Sequence, residues 1–264
     1  MIDLRFSEAE LAQRRDHITA FIREQVDAAG VEEVVLGLSG GIDSTITAYL
    51  AVDALGAENV HGLVLPATVS SGENMSDAER VAQDLEMSYD VIEIEPIVDS
   101  LLAAYPEAEG DHEAVGNARA RVRAVLNYLV ANHDGRLVLG TGNRSEAAVG
   151  YFTKYGDGAV DCHPIANLYK AQVRQLARHV GVPEDLAEKT PTAELWADQT
   201  DEDELGISYD TLDSILATHV DGPLSVAATS RELEVEEATV EEVREMYERS
   251  AHKRQVPPGP EPLN

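Results

Sequence analysis

The sequence predicts an α/β domain, a parallel sheet flanked by helices with a helical C-terminal part, over residues 1–264 as one unit. Three observations carry this. Four short runs rich in Val, Ile and Leu recur at Val34–Leu38, Gly62–Leu65, Val91–Ile94 and Leu137–Leu139. Their length and composition suit strands buried on both faces. Helix-like segments separate them, and strand–helix alternation implies parallel pairing. Two glycine-rich turns, Ser39-Gly40-Gly41 and Gly140-Thr141-Gly142, directly follow runs. In open α/β sheets, ligands bind beyond such strand ends.

In chain order, residues 8–29 carry Leu11, Ile18, Phe21, Ile22 and Val26 at near-helical spacing, so an amphipathic helix opens the chain. Helical segments are expected at about 44–55, 73–86 and 112–132 between the apolar runs. After residue 166 the pattern turns mostly helical, at about 168–180, 208–218 and 235–251. Pro183, Pro191 and Pro223 punctuate these segments. The stretch 256–264, with Pro257-Pro258-Gly259-Pro260, reads as an extended, mobile tail.

Composition narrows the function. The chain carries 49 Asp+Glu against 20 Lys+Arg, a formal net charge of −29. The acids are spread throughout, which argues against a disordered acidic tail. A generic nucleic-acid surface is excluded, because counterion release needs clustered cations. Only 4 of the 20 basic residues are Lys. Dispersed acid with scarce Lys resembles proteins of salt-loving organisms, where salt screens self-repulsion. No apolar run is long enough to span a membrane. The start Met1-Ile2-Asp3-Leu4-Arg5 lacks a signal-peptide pattern, and the single Cys162 excludes an intramolecular disulfide framework. A cytoplasmic chain is expected.

Chemistry concentrates at Ser39-Gly40-Gly41-Ile42-Asp43-Ser44-Thr45. Two glycines let the backbone approach an anion, and the following helix N-terminus directs N–H groups at it. Ser39, Ser44 and Thr45 add hydroxyl donors. Asp43 would repel a bare phosphate, so its presence suggests an intervening cation, most simply Mg²⁺. The string lacks the pattern of a Walker A loop and of GxGxxG.

Ser-Gly-Gly-Ile-Asp-Ser resembles the SGGxDS signature of N-type ATP pyrophosphatases, which cleave ATP between its α- and β-phosphates and transfer AMP. That resemblance implies an adenine-nucleotide alpha-hydrolase-like, Rossmann-like sheet. The second half is more specific. Gly140–Glu146, Gly150–Gly158 with its FTKYGDG string, Asp161–Ile165, Leu168-Tyr169-Lys170, Pro191-Thr192-Ala193-Glu194-Leu195, Asp203–Gly206 and His252-Lys253-Arg254 occur in an order similar to the ammonia-dependent NAD⁺ synthetase family. The likeness runs from about residue 10 to residue 257. It implies amidation of deamido-NAD⁺ by ammonia with ATP and Mg²⁺, through an acyl-adenylate.

Residue by residue, the resemblance implies that Gly37, Leu38, Ser39, Gly40, Gly41, Ile42, Asp43 and Ser44 hold ATP, together with Thr141, Lys170 and Thr192. Asp43 and Glu146 would hold Mg²⁺, with Asp43 and Lys170 central to catalysis. Arg121, in a GNxxAR pattern, with Lys154, Asp161, His252 and Lys253, would contact deamido-NAD⁺. Three of the four lysines thus fall on ligand-contacting positions, as suits a compact ammonium approaching phosphate or carboxylate. The fourth, Lys189, just before Pro191-Thr192, has no role in this scheme. The family also implies a homodimer, with residues 112–132 as a candidate contact.

Blander roles are set beside these. Glu146 is also placed to satisfy a helix dipole, Asp161 to cap a turn, and His252-Lys253-Arg254 to end an acidic helix. His61, His133, His179 and His219 lack clustered partners and read as structural or surface. Cys162 and His163 read as packing, and Trp196 and Tyr151 as core. Asn74-Met75-Ser76 and Asn143-Arg144-Ser145 match a glycosylation pattern by chance. A glutamine-hydrolysing domain, as the family implies, needs a catalytic Cys, and the one Cys lies inside the synthetase-like strings. Free ammonia is therefore the expected nitrogen source, with a separate glutaminase partner left open. Two rivals remain: another ATP pyrophosphatase acting on tRNA, disfavoured by the charge, and a non-catalytic nucleotide sensor.

Overall fold

The computed structural model describes residues 4–67, 70, 72–192 and 200–260. Readings placed on Met1 to Asp3, on Ala193-Glu194-Leu195, on Trp196 and on the end of the tail lie outside these.

Helix α1 (Glu8–Ala29) begins where Ser7 accepts from the Glu10 amide while Glu10 returns to the Ser7 amide, and ends at Gly30 with φ 69°. That reciprocal cap and left-handed stop bound the helix at the expected limits. The sheet follows with β1 (Glu33–Gly37), α2 (Ile42–Leu55), β2 (Val60–Val64), α3 (Gly72–Asp84), β3 (Ser88–Val91), α4 (Glu95–Ala104), α5 (His112–Asp134) and β4 (Arg136–Leu139). All pairs are parallel in the order β3-β2-β1-β4, with Val35 facing His61 on one side and Val138 on the other.

Alternation along β1 divides the core. Val34 and Leu36 pack with Ile18 and Ile22 of α1 and Ile46 and Leu50 of α2. Val35 faces the opposite side with Val98 of α4 and Val122 and Leu126 of α5. Helices therefore cover both faces, as the central strands require.

The third expected strand is corrected. β3 lies at Ser88–Val91, sharing only Val91 with the expected run, and Val91 is 46% exposed. As an edge strand it has one neighbour, so polar residues suit its open face. Ile92 and Ile94 still donate to the Val64 and Pro66 carbonyls, at 2.9 and 3.0 Å. The chain then enters α4, unforeseen, with Pro96 in its first turn.

Beyond β4 the chain forms α6 (Arg144–Val149), α7 (Lys170–His179), α8 (Glu184–Ala187), α9 (Asp201–Leu205), α10 (Tyr209–Ile215), α11 (Val226–Leu233) and α12 (Glu237–Arg249). α6, α8, α9 and α11 were not expected; the first three are too short to show a period. α10 ends earlier than expected and runs into a wider turn over Leu216–Val220. Tyr209, Leu212 and Ile215 of α10 bury against Val240 and Val243 of α12 and Ala148 of α6. α7 instead joins the sheet through Val173 and Leu176. No described helix is long and apolar enough to cross a membrane.

Candidate active site

A cleft of about 540 Å³ opens at the C-terminal ends of β1 and β4, where the strand order reverses. Its floor is the loop after β1. The Leu38 amide still donates to the Leu63 carbonyl at 2.8 Å, and the chain then leaves the sheet. Gly40 has φ 75°, and a Cβ there would lie 2.3 Å from the Asn74 carbonyl oxygen, so only glycine fits. The Ser39 amide donates to Ser44 Oγ at 3.2 Å, and the two hydroxyls sit 3.1 Å apart at the opening of α2. Thr45 departs from expectation: it is fully buried, and its hydroxyl donates back to the Gly41 carbonyl at 2.8 Å. Its place in the first turn of α2 directs it into the helix.

Asp43 projects from that turn. Lys170, the first residue of α7, places Nζ 2.5 Å from Asp43 Oδ2 and 3.0 Å from Glu146 Oε1. Glu146 comes from α6, behind β4. Asp43, 127 residues from Lys170, and Glu146, 24 residues from it, thus meet at one ammonium. Lys170 is 2% exposed. Burial opposes its charge, but Asp43 and Glu146 outweigh that and raise its pKa above the ordinary lysine value. Burial pushes Glu146 up to about 7, with Asp43 adding to the rise and Lys170 opposing it.

Further residues, not expected from the sequence, hold this trio. Asn143 is fully buried; its Nδ2 donates to Asp43 Oδ1 at 2.8 Å while its Oδ1 caps α6 at the Glu146 amide, at 3.0 Å. One amide therefore positions both acids. Its signal was present as Asn-x-x-Glu before an apolar helix. On α10, Asp213 accepts from the Ser145 hydroxyl and, at 2.8 Å, from the Ala171 amide. Ser145 Oγ in turn accepts from the Lys170 amide at 2.9 Å. Burial raises Asp213 to about 6. Tyr209, one turn earlier, donates to Asp201 at 3.0 Å, and Lys170 Nζ lies 5.0 Å from its ring centroid. Nothing local in the sequence announces these contacts, which exist only once α10 packs on α6 and α7.

Thr141 and Thr192 line the cleft, as do Gly37, Leu38, Gly41 and Ile42. Tyr151 does more than fill core: its hydroxyl reaches Asp201 at 3.2 Å and Glu204 at 2.7 Å on the cleft wall. Of the five residues aligned with deamido-NAD⁺ contacts, Lys253 lines the cleft, its Nζ on the Gly150 and Phe152 carbonyls at 2.7 and 2.8 Å. Arg121, Lys154 and His252 form a surface cluster beside it. Lys154 Nζ donates to the His252 carbonyl at 2.5 Å, and Arg121 to the Lys154 carbonyl at 3.3 Å. Asp161 is turned to the sheet, accepting from the Val138 amide at 2.8 Å and the Tyr128 hydroxyl at 3.0 Å.

The histidines read as structural or surface do have partners; His219 Nδ1 lies 2.8 Å from the Leu224 carbonyl. His61 has partners: Nδ1 lies 2.8 Å from Ser88 Oγ and Nε2 3.2 Å from Asp90. His179 lies 3.0 Å from Glu8. Cys162 is buried in the core, which pushes its thiol up to about 11.

The donor set suits a hard divalent cation. Asp43 and Glu146 supply carboxylate oxygens, the donors Mg²⁺ takes alongside phosphate. Lys170 is one cation among Asp43, Glu146 and Asp201, so the cluster is short of positive charge. Among the described residues no cluster of three His, Cys, Asp or Glu side chains has metal-holding geometry.

A glycine-rich loop opening a helix, a cleft where the strand order reverses and a lysine clasped by two acids are features of an α/β enzyme. The NAD synthase family model matches residues 15–257, and the chain belongs to that family. It is 64% identical over 259 residues to the NH(3)-dependent NAD(+) synthetase of Halobacterium salinarum, covering 98% of this chain and 97% of that one. Among solved structures it resembles an NMN synthetase from Francisella tularensis, with TM-score 0.83, 34% identity, and 97% and 99% of the two chains covered. It also resembles the NH3-dependent NAD synthetase from Campylobacter jejuni, with TM-score 0.80, 30% identity, and 95% and 99% covered.

Proposed function

We propose that this chain is an ATP-dependent, ammonia-using NAD⁺ synthetase. The observation that carries the reading is the convergence of Asp43, Glu146 and Lys170 at the end of the phosphate loop, in a chain of this family. In the reaction, an oxygen of the nicotinate carboxylate of deamido-NAD⁺ attacks the α-phosphorus of ATP. The α–β phosphoanhydride bond breaks and pyrophosphate leaves with the electron pair. Ammonia then attacks the acyl carbon, AMP departs, and the amide nitrogen loses a proton.

Each described residue has a task in this sequence. Backbone N–H groups at the start of α2, with the Ser39 and Ser44 hydroxyls, bind phosphate oxygens. Lys170, held charged by its two acids, stabilises the charge that grows on the transferring phosphoryl group. Asn143 keeps Asp43 and Glu146 oriented toward the same point. Mg²⁺, held by Asp43 and Glu146, would supply Lewis-acid neutralisation of phosphate charge. Thr141 and Thr192 complete the ATP wall. Lys253, with Arg121, Lys154 and His252 at the rim, suits the anionic dinucleotide, and Asp161 positions that wall through β4.

We also read residues 1–264 as one domain, in the cytoplasm, working as a homodimer at high salt. The outer face of α4 and α5 supports the dimer: Ile97, Leu101, Val125 and Leu129 are exposed there. No nucleic acid or membrane enters the scheme. The test is a product assay in molar KCl with ATP, Mg²⁺ and deamido-NAD⁺, given ammonium or glutamine. NAD⁺, AMP and pyrophosphate with ammonium alone are expected; no NAD⁺ from folded protein refutes the reading. Because one structural neighbour is named an NMN synthetase, nicotinic acid mononucleotide is run beside the dinucleotide, and a higher kcat/KM for it would change the substrate assigned.

A further inference from the structure

Lys189 is the one lysine of four without a role in the family alignment, yet it lines the same cleft. It follows α8 and precedes Thr190-Pro191-Thr192, which form another stretch of the cleft wall. Its Nζ pairs with Asp77 Oδ2 of α3 and lies 3.4 Å from the Gly40 carbonyl, on the lip of the phosphate loop. Both side chains are mostly covered, 17% and 15% exposed. Only a glycine lets α3 come this close, since a Cβ on Gly40 would lie 3.1 Å from Asp77 Cβ.

Charge accounting gives that ammonium a task. Pyrophosphate leaves with several negative charges. Among the described residues four cationic side chains line the cleft: Arg123, Lys170, Lys189 and Lys253. Arg123 donates to the Leu65 carbonyl, Lys253 holds two carbonyls beyond Gly150, and Lys170 is shared by two acids. Lys189 alone of these contacts the 39–44 loop at a backbone carbonyl rather than through Asp43. Its flexible four-carbon stem allows a short swing from Asp77 to a phosphate. Asp77 would not be stranded, because Arg80 lies 3.8 Å away on the same helix.

We infer that Lys189 is a phosphate-contacting residue that exchanges Asp77 for the β- and γ-phosphates of bound ATP and holds the departing pyrophosphate. The inference deepens the proposed reaction and rests on it for the nucleotide. The alternative is a plain staple, in which the Lys189–Asp77 pair only ties α3 to the segment after α8.

The two roles diverge for the partner residue. A staple breaks equally from either side, whereas a phosphate ligand is released when Asp77 is neutralised. The experiment is calorimetric titration of the intact protein with magnesium pyrophosphate, at the lowest KCl that keeps it folded, since salt weakens such contacts. Lys189→Ala is expected to raise Kd about tenfold or more, the scale of one charged contact to phosphate. Asp77→Asn is expected to leave Kd unchanged or lower it. Lys189→Gln, which keeps the stem, serves if the alanine variant does not fold, and is expected to match its loss. Equal weakening by Lys189→Ala and Asp77→Asn overturns the inference, as does a change within twofold for both lysine variants. NAD⁺ formation by the unsubstituted protein is scored in the same buffer. Failure of the proposed reaction shows there, and failure of the lysine's role shows in the titrations.

Discussion

The two ends of the cleft are built on different electrostatic principles. At the phosphate end, Lys170 is 2% exposed and clasped by two carboxylates, themselves held by Asn143 and Tyr209. At the rim, Lys154, Lys253 and Arg121 rest on backbone carbonyls of neighbouring turns. A buried ammonium shared by two acids is locked, because losing it strands both at a cost on the order of 3–5 kcal/mol. The Lys189–Asp77 pair differs, since Arg80 stays beside Asp77 when that pair opens. A cation on a neutral carbonyl is held weakly enough for an incoming phosphate to replace its partner. In the proposed reaction the Lys170 end would thus be preorganised before substrate arrives, and the rim would change partners on binding. That would separate chemistry from recognition within one cleft.

The largest test strikes the locked end. Asp43→Ala should cut adenylation by about 10²–10³, the scale of one electrostatic transition-state contact. Near-normal turnover in a pyrophosphate-release assay would remove Asp43 from the mechanism. Next, Asn143→Ala and Asp213→Asn leave the reacting groups in place and loosen their supports. Each should lower kcat by about 10- to 100-fold, as misplacement near 1 Å does. If the fall lies only in melting temperature, with kcat per folded molecule intact, the supports serve stability alone.

The rim should respond differently. Lys253→Ala should raise KM for deamido-NAD⁺ by about tenfold with KM for ATP unchanged, since it removes uniform binding. A loss of kcat with unaltered KM would erase the contrast between the two ends.

Smaller effects concern the whole surface and one edge. Melting temperature should rise from low salt to molar KCl, as the self-repulsion of a −29 chain is screened. A flat profile would remove the halophilic reading. His61 of β2 pairs with Ser88 of the edge strand, and its pKa is lowered, burial being the main cause and Arg136 adding to it. The folded state therefore prefers the neutral imidazole. Its contribution is complete above the ordinary value of about 6.5 and is lost as pH falls from there through the lowered folded value. Stability should drop by about 1 kcal/mol or less over that window. His61→Gln should flatten this step in denaturant titrations at pH 5 and 7.

Legibility followed the range of the interactions. α1 was bounded correctly from the helical spacing of Leu11, Ile18, Phe21, Ile22 and Val26, a local signal. β1 and β2 were visible because both faces are buried, so their centres are mostly apolar. β3 was displaced because an edge strand's composition answers to solvent on its open face. Asp43, Glu146 and Lys170 were legible through their strings. Asn143 could have been read from its capping position, but Tyr209 and Asp213 could not, since their partners lie on α6 and α7.

By itself the sequence determined the limits of the first helix, the central strands, the glycine-rich turn after β1, the acidic composition and the family. These depend on short-range geometry, binary pattern and the rarity of strings such as FTKYGDG. Only the tertiary structure decided that Lys170 would sit between two acids from separate elements, that α10 would brace them, that Asp161 would face β4, and that Lys189 would reach the phosphate loop. Such contacts join residues about 25 to 150 positions apart, and sequence spacing carries no distance until the sheet and the C-terminal helices close on one another.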